Sequence, residues 1–100
     1  MDSDQEAQAL RYPLFQDDFG EPGDKVFSDR IVTCAKPAQC NECWEQIQVG
    51  SRYRRHVGKY GGRVSTYKFC CDCCIAMGKT FNGDWNAMDE RAIVRKTNVN

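Results

Sequence analysis

Two cysteine pairs, each with two residues between its members, constrain this chain more than any other feature of its sequence. One pair occupies residues 40–43, and the other lies within the cysteine-rich run 70–74. Two intervening residues let a tight turn direct both sulfurs at one ion, so two such pairs can surround a tetrahedral Zn²⁺ with four thiolates. The sequence therefore predicts one structural zinc ion. The predicted ligands are Cys40, Cys43, Cys70 and Cys73.

The second pair can be chosen in two ways. The strand predicted to end at Phe69 runs directly into Cys70, which favours ligation by Cys70 and Cys73. The alternative pair is Cys71 and Cys74. Cysteines that bind no metal are expected to be buried small apolar groups or surface thiols. A second metal site is a further alternative, and it would use Cys34, Cys71, Cys74 and His56.

A β-hairpin is predicted in the 26 residues between the two pairs. Extended runs at 49–60 and 63–69 meet at Gly61 and Gly62, and a two-residue turn of this kind needs positive φ at both positions. Residues 71–79 then form a predicted helix, whose N-terminus favours thiolates. Knuckle, hairpin and helix together are the plan of a treble-clef zinc finger, so the predicted fold class is α+β. The remaining predicted elements are a strand over 26–35 and a C-terminal helix over 86–96.

The composition explains why such a chain needs a metal. Leu, Ile, Val and Phe account for only 18 of the 100 residues, which is too few for a large apolar core. A thin core in a small domain is usually supplemented by disulfides or a metal. Seven cysteines fit a closed disulfide set poorly, and the polar, acidic N-terminus lacks the plan of a secretory signal. Metal binding in the cytoplasm is therefore predicted, while disulfides and a dithiol redox motif are the alternatives. No apolar run approaches membrane-spanning length, so no membrane association is expected.

The region from residue 36 to residue 73 follows a recognisable order of residue types. The order begins with a cysteine pair, an apolar residue, a glycine and an aromatic residue. It continues with a basic strand, a glycine turn and an aromatic–basic strand, and it ends with a second cysteine pair. These positions are Cys40, Cys43, Ile47, Gly50, Tyr53, Arg55, Gly58, Gly62, Tyr67, Lys68, Cys70 and Cys73.

This order resembles a widespread group of small zinc-finger proteins of bacteriophages and bacteria, most of which have no assigned function. The resemblance covers less than half of the chain. The additional Cys71 and Cys74 and the acidic N-terminal segment depart from the pattern of the group. The resemblance implies a treble-clef-like zinc domain and a phage or prophage setting, and it implies no reaction.

The predicted hairpin is basic and aromatic. Residues 51–68 contain six Lys and Arg residues and no acid, with tyrosines and one histidine between them. Cations can neutralise phosphates and aromatic rings can stack on bases, so this hairpin is the predicted contact surface for nucleic acid or another partner. In the competing interpretation, one strand face packs Tyr53 and Val57 on the zinc core, while the basic side chains are solvated or pair with N-terminal acids. The predicted contact residues are Arg52, Arg54, Arg55, Lys59, Tyr60 and Arg63.

Charge is distributed unevenly along the chain. Residues 1–30 carry a net charge of −5 and residues 31–100 carry +5. We therefore predict a partly ordered acidic arm over 1–25, with a short helical turn and apolar residues that dock, followed by a zinc-binding domain over 26–100. The predicted function is nucleic-acid binding. The alternative is a phage protein that uses its acidic arm to bind and inhibit a host protein complex. The docking residues are Leu14, Phe15 and Phe19.

No catalytic constellation is recognisable in the sequence. Treble-clef nucleases of the HNH type need a general-base histidine together with further metal ligands, whereas His56 is the single histidine of this chain. No Ser-His-acid set, phosphate-binding glycine loop or H-E-x-x-H motif is present. Four sulfur ligands also close the coordination of a zinc ion and leave no position for water. The prediction is a non-enzymatic protein, and its oligomeric state is left open.

Overall fold

The computed structural model describes residues 1–14 and 25–98, which form a small α+β fold. Three helices and antiparallel strands are present in this part of the chain. The helices are α1 (Ser3–Arg11), α2 (Cys71–Phe81) and α3 (Ala87–Thr97). The strands are β1 (Lys25–Thr33), β2 (Ala38–Gln39), β3 (Gln46–Ile47), β4 (Arg52–Tyr60) and β5 (Arg63–Phe69).

The main sheet has the strand order β1-β4-β5, with β4 at its centre. Strands β4 and β5 form the predicted hairpin, in which Tyr60 pairs with Arg63 across the turn. Gly61 and Gly62 have φ values of 57° and 81°, so both adopt the left-handed conformation that a two-residue turn favours. The predicted hairpin and its turn are confirmed.

Helices α1 and α2 pack against each other. Gly78 of α2 permits this close approach, because a Cβ atom at that position would lie 3.2 Å from the Cβ atom of Gln8. Ala9 and Met77 are both fully buried. The first half of the predicted acidic arm therefore forms a helix that packs on the rest of the fold, and Leu14 also packs against the core. Phe15 and Phe19 lie outside the described residues.

The two faces of β4 have different environments. On the inner face, Arg54, His56 and Gly58 are buried, and the Arg54 side chain reaches Ala9 of α1 and Met77 of α2. Side chains of the intervening residues point to the outer face because successive residues of a strand alternate, and these are partly exposed. Helices α1 and α2 thus cover the inner face of the sheet. Among the described residues, no helix has the length and apolar character needed to cross a bilayer.

Candidate metal centre and basic sheet face

A tight knuckle presents the first cysteine pair. Strands β2 and β3 pair through Ala38 and Ile47, and the chain between them turns so that the Cys40 N–H donates to the Glu45 carbonyl at 2.9 Å. The Trp44 N–H donates to the Cys40 carbonyl at 3.1 Å. Trp44 has φ of 65° and is the single non-glycine residue with positive φ in the described part of the chain. This left-handed residue closes the turn directly after Cys43.

The second pair lies at the start of α2. Cys70 occupies the N-cap position, and its carbonyl accepts a hydrogen bond from the Cys74 N–H at 2.9 Å. Asn41, between the first two cysteines, joins the knuckle to β5. Its N–H donates to the Lys68 carbonyl at 2.7 Å, and its side-chain oxygen accepts from the Lys68 N–H at 2.8 Å. These hydrogen bonds hold the knuckle with the first pair beside the end of β5, where the second pair begins.

The structure brings the four predicted ligands into one cluster. The Sγ atoms of Cys40 and Cys73 lie 3.7 Å apart, and those of Cys43 and Cys70 lie 3.6 Å apart. All four sulfur atoms lie within 4.8 Å of one another, and all four residues are buried. None of the seven cysteines forms a disulfide. This cluster can hold a metal ion.

Crowding of the four thiols perturbs their acidity. Hydrogen bonds with the side chains of Cys70 and Cys73 hold the pKa of Cys40 far below its usual range. Backbone N–H groups of Glu42 and Cys70 also approach the Cys40 sulfur, at 3.4 and 3.3 Å. The same side-chain bond to Cys40, together with burial, raises the pKa of Cys70 to about 12 and also raises that of Cys73. One thiolate in this buried cluster thus suppresses ionisation of its neighbours, a conflict that a bound cation removes.

The remaining cysteines have other surroundings. The Cys34 thiol is buried and donates to the Lys36 carbonyl at 2.9 Å. The Cys74 thiol donates to the Phe69 carbonyl at 3.4 Å, and burial raises its pKa to about 12. Cys71 is only partly buried. The alternative second metal site is wrong, because within the described residues the tetracysteine cluster is the single group of His, Cys, Asp or Glu suited to an ion.

Arg54, predicted as a contact residue, lies instead in the interior. Its side chain is 1% exposed, and its guanidinium donates to both carboxylate oxygens of Asp29, at 2.7 and 2.6 Å. It also donates to the carbonyls of Ala9 and Tyr12 at the end of α1, at 2.8 and 3.1 Å. Arg54 therefore joins the sheet to α1 and is not accessible to a partner.

The same inner face engages two more of the predicted contact residues. Arg52 donates to both carboxylate oxygens of Glu6 in α1, at 3.0 and 2.9 Å. The Tyr60 hydroxyl lies 2.5 Å from Nε2 of the buried His56. The competing interpretation expects basic side chains of the hairpin to pair with N-terminal acids, and Arg52 forms such a pair. Arg63 is exposed at the hairpin turn.

The outer face carries the remaining basic residues. Arg30 lies opposite Arg55 in the register of β1 and β4, and Arg55 lies opposite Lys68 in the register of β4 and β5. Three cations therefore form one row across the sheet, which we call the basic row. Lys25 and Lys59 form a second like-charged pair on this face. Among the described residues, these five cations form no ion pair.

Arg55 and Lys59 share this face, as alternation along the predicted strand indicates, but the sequence pattern does not show the full extent of the surface. Arg30 comes from β1, and its alignment with Arg55 depends on pairing between strands that are distant in the sequence. The predicted set also lacks Asn41, which joins the knuckle to β5, and Arg91, which donates to the Cys73 sulfur. No spacing motif marks either residue.

The chain was also compared with known proteins. No model of a protein family matches it, and neither the curated proteins nor the solved structures contain a match. The resemblance to small zinc-finger proteins of phages and bacteria therefore stays a prediction.

Proposed function

We propose that this chain is a non-enzymatic, zinc-stabilised binding module of treble-clef type that contacts nucleic acid through its outer sheet face. The observation that carries the proposal is the juxtaposition of a buried tetracysteine cluster with a sheet face on which cations lie opposite cations. The first feature accounts for how a chain with a thin core folds. The second is a surface whose repulsion is relieved by a polyanion.

Zinc suits the donor set and its spacing. A tetrahedral ion with Zn–S distances of about 2.3 Å needs sulfur atoms about 3.8 Å apart, and the Cys43–Cys70 and Cys40–Cys73 sulfur pairs are separated by 3.6 and 3.7 Å. Soft thiolate ligands in a tetrahedral arrangement favour zinc over the hard cations. Four protein ligands also fill the coordination shell, which supports a structural ion rather than a catalytic one.

The basic row suits a nucleic-acid backbone. Adjacent strands lie about 4.8 Å apart, so Arg30, Arg55 and Lys68 have Cα atoms that span about 10 Å across the sheet. Lys59 lies four residues from Arg55 on the same face, or about 13 Å along the strand. Like charges directly opposite each other destabilise a sheet, and closely spaced phosphates would neutralise this row with release of counterions.

The setting of the protein also remains a proposal. A phage or prophage origin depends on the resemblance described above, and a cytoplasmic location depends on the seven cysteines and the polar, acidic N-terminus. Inhibition of a host protein by the acidic arm is the alternative function, but Glu6 of this arm is engaged by Arg52. No contact among the described residues favours that alternative, so nucleic-acid binding is the function we carry forward.

The metal is tested by native mass spectrometry of the purified protein. We expect one zinc ion per chain and loss of the folded state on chelation, because structural zinc contributes about 10–16 kcal/mol in small domains. The substitution Cys43→Ser should abolish stoichiometric binding. Its control is Cys71→Ser, which removes a thiol outside the cluster and should retain the ion. A folded, metal-free wild type would refute the proposal.

Nucleic-acid binding is tested by two triple variants with the same change in net charge. The first replaces the basic row by glutamine at Arg30, Arg55 and Lys68. The control replaces Lys36, Lys79 and Lys96, which are exposed elsewhere on the molecule. Affinity for single-stranded and duplex oligonucleotides is measured as a function of salt concentration.

We expect the row variant to lower the slope of log affinity against log salt by about 2–3, because each phosphate contact contributes about 0.7–0.9. The control variant should retain most of the wild-type slope. Equal losses in both variants, or no binding by the wild type, would refute a nucleic-acid contact at this face. Co-purification of one stable host protein in place of nucleic acid would support the alternative function.

A further inference from the structure

Helix α3 and its C-cap residue contact the cysteine cluster and its knuckle at three positions along one helical face. The Arg91 Nε atom donates to the Cys73 sulfur at 3.4 Å. The Arg95 guanidinium stacks on the Trp44 ring, 4.5 Å from its centroid. The Asn98 side chain donates to the Cys43 carbonyl at 3.1 Å. These three residues are spaced at i, i+4 and i+7, so one helical stripe faces the knuckle. We call them the α3 clasp.

Arg91 is the central member of the clasp. Its side chain is 15% exposed, and its Nη2 atom lies 2.9 Å from the Glu45 carboxylate. Glu45 belongs to the knuckle, and its carbonyl accepts from the Cys40 N–H. Arg91 therefore bridges a ligand of the second pair and the turn that presents the first pair. Burial opposes the charge of Arg91, but its hydrogen bonds to Cys73 and Glu45 raise its pKa overall. The guanidinium remains charged.

A zinc ion with four thiolates has a net charge of −2, and the cluster is buried. A buried net charge needs a compensating partner or hydrogen bonds. Among the described residues, Arg91 is the cation that donates to a sulfur of the cluster. Partners of metal ligands that lie outside the coordination shell usually contribute 10–100-fold to metal affinity.

We propose that Arg91 is a positioning residue of the metal centre, and that metal binding and docking of α3 stabilise each other through the α3 clasp. This inference rests on the proposed zinc site. The coupling is reciprocal by thermodynamic linkage, so if docked α3 strengthens metal binding, the metal must strengthen docking by the same factor.

The apolar contacts of α3 support this dependence. Ala87 is buried and Met88 and Val94 are partly buried against the core. Ile93 is 62% exposed. The buried apolar surface of α3 is thus restricted to a few side chains, and the clasp supplies its specific polar contacts.

Metal affinity tests the role of Arg91. Arg91→Gln removes the charge and the bond to sulfur, and Lys96→Gln removes one charge from an exposed position of the same helix. By competition with a chelator of known affinity, we expect Arg91→Gln to bind zinc about 10–100-fold more weakly than the wild type. Lys96→Gln should differ by less than about threefold, because exposed charges are screened. Arg91→Lys should restore part of the affinity.

Cobalt-substituted protein gives a readout that a merely structural role would not change. A hydrogen bond to a thiolate lowers the energy of its lone pairs, so its removal should shift the sulfur-to-cobalt charge-transfer band of Arg91→Gln to lower energy. The band of Lys96→Gln should not move. Glu45→Gln provides a milder test, because it leaves Arg91 in place without its anchor and should weaken zinc binding by a smaller factor.

Hydrogen exchange tests the reciprocal effect. Amides of α3 should exchange faster after metal removal, and also in zinc-loaded Arg91→Gln. If the wild type binds zinc while Arg91→Gln matches its affinity, spectrum and exchange, the α3 clasp is refuted and the zinc site stands. If the wild type binds no metal, the zinc site and the clasp both fail.

Discussion

The two faces of β4 treat adjacent arginines in opposite ways. Arg54 points inward, is fully buried, and has carboxylate and carbonyl partners for its guanidinium. Arg55 points outward and lies between Arg30 and Lys68, with no acid among its strand neighbours. The inner face contains charge that is satisfied within the fold. The outer face contains charge that the described part of the fold leaves unsatisfied.

This difference separates a structural role from the proposed binding role for the same residue type. A buried guanidinium is tolerated only when its donors are paired, and then it fixes the elements that supply the partners. Arg54 in this way fixes α1 and β1 relative to β4. A row of like charges opposes folding, because like charges directly opposite each other destabilise a sheet. Such a row is a local conflict of the kind expected at functional sites.

Replacing Arg54 and Arg55 by glutamine, one at a time, should give the largest difference in stability between the two faces. Arg54→Gln leaves Asp29 without its main partner and should destabilise the metal-loaded protein by about 3 kcal/mol. Arg55→Gln should change stability by less than about 0.5 kcal/mol, or increase it slightly by relieving repulsion. Urea denaturation at saturating zinc measures both. Similar losses in the two variants would show that the faces do not differ in this way.

The tyrosines of β4 extend the comparison with a smaller effect. Tyr60→Phe removes a hydroxyl that is hydrogen-bonded to buried His56, and we expect a loss of about 1–3 kcal/mol. Tyr53 points to the outer face and makes no side-chain hydrogen bond with the described residues, so Tyr53→Phe should have an effect of a few tenths of a kcal/mol, about the level of surface substitutions. Equilibrium denaturation of the two variants is again the measurement. A larger loss for Tyr53→Phe would contradict the assignment of the faces.

The smallest effect is expected at the partly exposed end of the inner face. The hydrogen bond from Arg52 lowers the pKa of Glu6 below its ordinary value of 4.5, so the ionised form of Glu6 stabilises the fold. This contribution is present above the ordinary pKa and is lost as the pH falls through the lowered pKa. Glu6→Gln should lose less than about 1 kcal/mol at neutral pH because both side chains are solvent-accessible.

The pH and salt dependence of that loss can be measured by denaturation of wild type and Glu6→Gln in parallel. The difference between them should shrink at about 1 M salt, where the screening length is about 3 Å, and should shrink again as the pH falls below 4.5. A difference that does not respond to salt or pH would mean that Glu6 acts by packing alone.

The metal cluster and the hairpin could be predicted because their signals are local. A two-residue spacing fixes how a knuckle presents sulfur atoms, and paired glycines fix the turn. The strand that runs directly into Cys70 also distinguishes this residue from Cys71, and the structure brings Cys70 and Cys73 to the cluster. Helix α2 begins at the predicted residue and extends two residues further, to Phe81.

The environments of the Arg54 and Arg91 side chains could not be predicted from the sequence. Alternation along a strand places Arg54 and Arg55 on opposite faces, but it does not show which face is buried. The packing of α1, β1 and α2 determines that face. Asp29 comes opposite the inner face only through the register of β1. Arg91 reaches Cys73 because α3 docks on the knuckle, and the helix pattern of α3 does not specify that contact.

The location of Trp44 has a practical consequence. Its indole lies beside Arg95, and Trp44 directly follows the predicted ligand Cys43, whereas Trp85 is 78% exposed. Substitution of Trp85 by Phe would leave Trp44 as the single tryptophan of the chain, at the edge of the cysteine cluster. The emission of that tryptophan would then report loading of the ion and closure of the C-terminal helix in real time, without an attached dye.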